Sequence, residues 1–357
     1  MCKKLLSLFL MVSVLFVELP ASSVMNVREL VSAEEVCKTE TGKDMLHYEN
    51  RNKPGLINIA MASDNNYTYP LIVAMTSLVE NKNADTKIDF YIMISGDFLP
   101  ENKAKIMSFQ NKYNNCTITL IDMKDKLNDI YTSRHITEAS YYRLMLPFLL
   151  PNLDKVLYLD SDTIICKDVS DLYNHDLDNY YLAGVLDVCC CGSNMVNVRR
   201  RRAETEKDFF IETFGDECYK KQYVNAGVLL FNLSKIRTDK RHIEFIENAK
   251  MYNHMYHDQD VLNFVCFGRI LILPDVYNKR ARFATPNNQA VIHYASKIKP
   301  WNTQYRRLSD LWRNYAKKTD YFKEIKKRYL VNSTNKLKSS HSRQDKKHKN
   351  VSVNRLS

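Results

Sequence analysis

The stretch "KVLYLDSDTIICKD", Lys155 to Asp168, carries an apolar run, Val156 to Leu159, straight into two aspartates, Asp160 and Asp162, with one serine between them. A short, continuous apolar run reads as a strand covered on both faces, as in a parallel sheet. Alternate residues of an extended chain point to one side, so the two carboxylates are expected together at the strand's carboxyl end. Side by side they repel each other. A hard divalent cation with oxygen ligands would relieve that repulsion. Simple capping of the next turn would place them there too, and the D-x-D spacing alone leaves both readings open.

Similar strands precede this one. "LINIAMAS" (Leu56 to Ser63) is a nearly continuous apolar run, "KIDFYIMIS" (Lys87 to Ser95) reads as a second strand, and "TITLIDM" (Thr117 to Met123) alternates. Helical spacing predicts helices over Pro70 to Val79 and Glu101 to Tyr113. "SYYRLMLPFLL" (Ser140 to Leu150) predicts a short helix ended by Pro147. Further on, "YLAGVLDV" (Tyr181 to Val188) and "YVNAGVLLFNL" (Tyr223 to Leu233) read as strands, and Asp258 to Phe267 as a helix with Asp258 in a capping place. Strands alternating with helices predict an α/β domain with a mostly parallel central sheet. Ligands on such sheets sit beyond the carboxyl ends of the strands.

The 357 residues suffice for one large domain or two small ones. Only 8 are glycine. That scarcity, with neither G-x-G-x-x-G nor a Walker-type loop, argues against a glycine-rich phosphate cradle. The net charge of +11 is uneven: from Lys323 to Ser357 there are 11 Lys+Arg against 2 Asp+Glu, or +9, leaving about +2 for the rest. A basic helical and then disordered tail, residues 308–357, suits an anionic membrane surface. Nucleic acid is not expected, because the globular part is nearly neutral and the Arg199 to Arg202 run lacks an aromatic platform. At the other end, Lys3 and Lys4 precede an apolar run, Leu5 to Val17, of 13 residues. That falls short of the roughly 20 that span a membrane. Residues 1–23 therefore read as a signal peptide, or a short anchor, and imply a secretory route to a secreted, periplasmic or membrane-associated location. Residues 24–53 read as a linker and 54–307 as the main folded domain. Nine cysteines, three of them at Cys189 to Cys191, form no C-x-x-C pair, so a zinc ribbon is not expected.

Polar clusters punctuate the strand ends. "ASDNNY" places Asp64, Asn66 and Tyr67 after the first strand, "YVNAGV" places Asn225 before a buried one, and "HDQDVLN" places Asp258, Gln259 and Asp260 at a helix start. "HYASKIKPW" holds His293, able to ligate a metal, and Lys299, able to neutralise a phosphate. Each alone has an ordinary structural explanation: a turn, a cap, a packed histidine.

Together and in order, "ASDNNY", "SYYRLMLPFLL", "KVLYLDSDTII", "YVNAGVLLFNL", "HDQDVLN" and "HYASKIKPW" resemble glycosyltransferase family 8, retaining GT-A (Rossmann-like) enzymes that include bacterial lipooligosaccharide galactosyltransferases. The resemblance spans Leu56 to Asn302. It implies a single GT-A domain, Mn2+ (or Mg2+), a UDP-galactose or UDP-glucose donor, and a glycan, lipid-linked or protein acceptor. By motif, Asp160, Asp162 and His293 would hold the metal. Asp64, Asn66 and Tyr67 would meet uracil and ribose, and Lys299 the diphosphate. Arg143, Asp187, Asn225 and Asp258 would reach the sugar, and Gln259 stands at the family's candidate nucleophile. Ser296 occupies a place where the family usually has glycine, so a catalytically impaired, sugar-nucleotide-binding scaffold is the alternative.

Overall fold

A computed structural model describes residues 55–127, 138–189, 221–251, 254–297, 299–302 and 307–331. The expected signal segment, the linker, Cys190 and Cys191, the Arg199–Arg202 run and the basic tail after Val331 lie outside these residues.

Strands covered on both faces need apolar side chains at nearly every position. β1 (Leu56–Ser63) and β2 (Lys87–Ile94) come close to that condition, with β2 buried from Ile88 through Ile94, whereas β3 (Cys116–Asp122) exposes Thr117 and Asp122; the three pair in parallel. β1 also pairs in parallel with β4 (Lys155–Leu159). Beyond β4 the sheet changes character. β4 pairs antiparallel with β7 (Val224–Asn232), β7 pairs antiparallel with β6 (Leu182–Leu186), and β6 pairs in parallel with β8 (Ile270–Ile272). The seven strands run in the order β3-β2-β1-β4-β7-β6-β8, mixed α/β and mostly parallel as expected.

Helix α1 (Thr68–Asn81) covers this sheet, its Leu71, Ile72, Ala74, Met75 and Leu78 packing into the main core. Pro70 falls in its first turn, where a missing N–H costs nothing. The single helix expected over Glu101 to Tyr113 is instead α2 (Pro100–Met107) and a separate turn, Phe109–Lys112. The hydroxyl of the intervening Ser108 donates to the Lys105 carbonyl at 2.9 Å, a local bond that competes with the helical ladder. Pro147 does not end a helix. It sits in the first turn of Leu146–Leu149, after a 3-10 turn at Tyr142–Met145. Helix α3 (Asp258–Val265) is fastened to β7 by Asn263, whose Oδ1 accepts from the Val224 amide (2.7 Å) while its Nδ2 donates to the Val224 carbonyl (2.9 Å).

A second, three-stranded sheet runs β5-β10-β9. It joins β5 (Thr163–Ile165), which directly follows the D-x-D turn, to β10 (Val291–His293) and β9 (Lys279–Arg280). Behind it lies a second apolar cluster of Val73, Ile164, Ile292, Tyr294 and Trp301. The chain after Leu308, expected as a tail, begins as part of this cluster. Helix α4 (Ser309–Lys318) inserts Trp312 and Ala316 into it, and Ile325 follows.

Trp312 is fully buried against Trp301, with ring centroids 5.4 Å apart. Trp312→Ala should therefore cost about 3–5 kcal/mol of stability, read from urea unfolding monitored by circular dichroism. A loss under 1 kcal/mol would mean that α4 is only loosely attached.

Candidate active site

The registers of the two sheets build the centre of the site. In the large sheet Leu159 pairs with Val228, and the Asp160 amide donates to the Gly227 carbonyl at 2.8 Å, placing Asp160 opposite Gly227. In the small sheet His293 pairs with Thr163, and the Tyr294 amide donates to the Asp162 carbonyl at 3.0 Å. Between them Asp160 to Thr163 is a turn, closed by the Thr163 amide (3.2 Å) and hydroxyl (2.7 Å) on the Asp160 carbonyl. The two aspartates thus converge across a turn between sheets, not as alternate residues of one strand.

Their approach to His293 depends on a missing side chain. A Cβ on Gly227 would lie 2.1 Å from His293 Cε1 and 2.7 Å from Asp160 Oδ2. With that space open, one ligand atom each from Asp160, Asp162 and His293 falls within 4.8 Å of the others. His293 Nε2 is 3.2 Å from Asp162 Oδ1 and 3.6 Å from Asp160 Oδ2. Lys299 ion-pairs with the far oxygen of Asp162 and donates to the Tyr294 carbonyl at 3.1 Å. Burial alone would raise the Asp162 carboxyl. Lys299 and His293 override it and hold it well below the usual carboxylate range. Two carboxylates and an imidazole nitrogen suit Mn2+ or Mg2+, so the donor set fits a divalent ion.

Arg143 closes one side. Its guanidinium lies over the Tyr158 ring (4.4 Å), ion-pairs with Asp160 Oδ1 (3.1 Å) and donates to the Ala226 carbonyl. Its Nε is 3.0 Å from Asp258 Oδ2, but that N–H is aimed at the Ser140 carbonyl (3.1 Å). Asp258 Oδ2 therefore has charge compensation without a hydrogen bond. Burial pushes the Asp258 carboxyl up to about 7 despite Arg143, with Asp160 adding to the rise. Asp258 opens α3 but does not cap it. The residue before it, His257, has a left-handed φ of 51°. Asp260 reaches back instead, its Oδ2 accepting from the Tyr256 amide at 2.8 Å.

Gln259, Asn225 and Asp187 form one network. Gln259 Oε1 accepts from Asn225 Nδ2 (3.1 Å) and the Ala226 amide (3.0 Å), while its Nε2 donates to Asp187 Oδ2 (3.3 Å) and the Tyr223 hydroxyl (3.1 Å). Arg280 Nη2 contacts both Asp187 oxygens, at 2.8 and 2.7 Å. Asp64 and Asn66 stand apart, at the end of β1. Asp64 Oδ1 accepts from the Asn66 (2.8 Å) and Tyr67 (2.9 Å) amides, a turn of its own. Asn66 receives Arg328 (3.1 Å) on its side chain and the Tyr329 hydroxyl (2.8 Å) on its carbonyl. Tyr67 leans edge-on to Trp301 at 5.6 Å. Burial first, then the charge of Asp162, raises its hydroxyl above the ordinary tyrosine range.

The sequence reading passed over Gly227, Asn278, Arg280 and Tyr223. Gly227 could have been found, since it lies in a strand interior where glycine marks close approach. Asn278 and Arg280 lie in "VYNKRAR", which has no periodicity to distinguish it.

A model of glycosyl transferase family 8 matches residues 58–304, a span containing every one of these site residues except those of the Arg328–Tyr329 contact. The chain belongs to glycosyl transferase family 8. A Haemophilus influenzae relative is 31% identical over 62% of this chain and 63% of its own, so the chain spans less than two thirds of that relative's length. A lipopolysaccharide 1,2-glucosyltransferase of Escherichia coli K12 is 28% identical over 71% of this chain and 75% of its own. Among solved structures, the galactosyltransferase LgtC in complex with donor and acceptor sugar analogs is 26% identical, with a TM-score of 0.58 over 74% of this chain and 96% of that one. The fold of this family 8 chain is GT-A.

Two outcomes test the site. Gly227→Ala should reduce Mn2+ affinity by about tenfold or more while the fold persists, because the added methyl must displace His293 or Asp160. Calorimetric titration with Mn2+ reads this directly, and unchanged affinity would contradict it. Asp258 concerns stability. Unfolded, its carboxyl titrates near 4; folded, it holds its proton to about 7. The folded state binds more protons in that window, so metal-free stability falls as pH rises through it. Thermal melts in EDTA should show wild type losing ground to Asp258→Asn between pH 4.5 and 7.5. A pH-independent difference would mean that Asp258 ionises normally.

Proposed function

We propose that this chain moves a hexose, galactose or glucose, from a UDP-sugar to a glycan or lipid-linked acceptor, with retention at the anomeric carbon. The convergence of Asp160, Asp162 and His293 beside Lys299 carries the reading. Those three residues would hold Mn2+, with Mg2+ the alternative, and the bound ion supplies positive charge for the donor diphosphate. A relative named for glucosyl transfer and a structure named for galactosyl transfer support a hexose.

The chain's own residues do the rest. Lys299 offers its ammonium where negative charge grows as UDP departs. Asp64, Asn66 and Tyr67 meet the nucleoside at the end of β1. Arg143, Asp187, Asn225 and Asp258 receive the sugar. A deprotonated Asp258 places negative charge beside an anomeric carbon turning oxocarbenium-like. Gln259 is a weak nucleophile to begin with, and its amide oxygen already accepts two hydrogen bonds. Attack therefore comes from the acceptor hydroxyl on the face that UDP leaves, with its proton passing to the departing phosphate oxygen. The N-terminal segment adds a secretory location to this reading, and the basic tail adds an anionic membrane surface on which acceptors reside.

The test is donor hydrolysis and transfer, assayed across UDP-sugars with and without Mn2+. We expect turnover of UDP-galactose or UDP-glucose that depends on the metal. Asp162→Ala should lower it by about a hundredfold or more, through lost metal affinity and an unpaired Lys299. Full activity in that variant would overturn the metal assignment. UDP binding without turnover of any donor would favour the scaffold role that Ser296 suggests.

A further inference from the structure

We propose that Asn278 is a positioning residue that orients the imidazole of His293 and links the metal ligands to the sugar-binding amides. This rests on reading Asp160, Asp162 and His293 as the metal site. Asn278 is buried, 6% exposed, at the entry to β9. It lies in none of the motifs that pointed to the site.

The orientation follows from two backbone amides, which can only donate. The Gly227 amide donates to Asn225 Oδ1 (3.1 Å), and the Ala226 amide to Gln259 Oε1 (3.0 Å). The oxygen of Asn225 is thereby fixed on the Gly227 side, and its Nδ2 faces Asp187 and Gln259. The Asn278 atom lying 2.9 Å from that oxygen must then be Nδ2, the donor. Its Oδ1 consequently faces His293 Nδ1 at 3.0 Å. An amide oxygen only accepts, so Nδ1 carries the hydrogen. Nε2 is the nitrogen left for a metal, and it is the one aimed at Asp160 and Asp162.

One side chain thus holds both halves of the site. Its oxygen fixes the metal-binding histidine, and its amide nitrogen fixes Asn225, which in turn bonds Asp187 and Gln259. The same short segment delivers Arg280, whose guanidinium holds Asp187. A metal ligand's outer partner sets its orientation and basicity, and losing one costs about 10–100-fold in metal affinity.

Two variants separate the two ends. Asn278→Leu keeps the branched skeleton, with somewhat more bulk, and removes both bonds. We expect it to lose the exchange-protected Nδ1–H proton of His293, observed by NMR without metal, and to bind Mn2+ about 10–100-fold more weakly by calorimetry. Asn278→Asp keeps an acceptor for Nδ1–H but sets one oxygen against another at Asn225. It should keep the protected proton and the Mn2+ affinity while weakening UDP-glucose and UDP-galactose binding by about tenfold. A folded Asn278→Leu protein with the proton and the Mn2+ affinity intact would overturn the proposal. Should that variant not fold, Asn278→Asp decides, and a parallel loss of metal and donor binding, or of neither, overturns it. Absence of Mn2+ binding by the wild type would sink the metal reading alone, because the proton and its loss in Asn278→Leu are read without metal.

Discussion

Two carboxylates held together where little water reaches them are the constraint on which the rest of this structure turns. Asp162 is 6% exposed and Asp160 is only partly so. Left alone, like charges at this range would force a proton onto one of them. Lys299 is set on Asp162, Arg143 on Asp160, and His293 between them. Arg143 comes from one part of the chain, and His293 with Lys299 from another. The seam between the two sheets exists to bring those parts to one point. Breaking one partner of a buried pair leaves an uncompensated charge, which costs more than the pair contributes. The site and the seam therefore stand or fall together.

Backbone amides give the site its precision. Side-chain amides can present either end to a neighbour, so a cluster of Asn and Gln has many near-equal arrangements. Here the amides of Gly227 and Ala226 remove that freedom, and the choice passes outward through Asn225 and Gln259 to Asn278, Asp187 and His293. Strand β7 is thus both a core strand and the reference for the polar network. Its position between β4 and β6, antiparallel to each, carries Gly227 past Asp160.

Much of the fold was legible because burial on both faces leaves a direct mark on composition. β1, β2 and β4 appear as mostly apolar runs, broken inside only by Asn58 and Asp89, and their alternation with helices implies the parallel half of the sheet. Strand direction leaves no such mark. β7 is as apolar as its neighbours, so its reversal could not be read from the residues. The site divides in the same way. Asp160, Asp162, His293, Lys299, Asn225, Asp258 and Gln259 were legible through their motifs, and the structure brings them together. Asp64 and Asn66 lie where the motif put them, but their bonds close a turn and meet Arg328 and Tyr329. Asn278 and Arg280 act through contacts distant in sequence, which no local pattern can reveal.

Glycine placement sharpens the same point. Ser296, where the family pattern has glycine, lies in the loop before Lys299. In the structure the Ser296 amide donates to the Tyr294 carbonyl at 2.7 Å, in the turn that lets Lys299 fold back onto Asp162. Among the described glycines, Gly227 has the least room for a Cβ. A side chain at Gly227 would meet His293 and Asp160, with a strand behind it. That places the decisive constraint in β7, where the chain keeps its glycine.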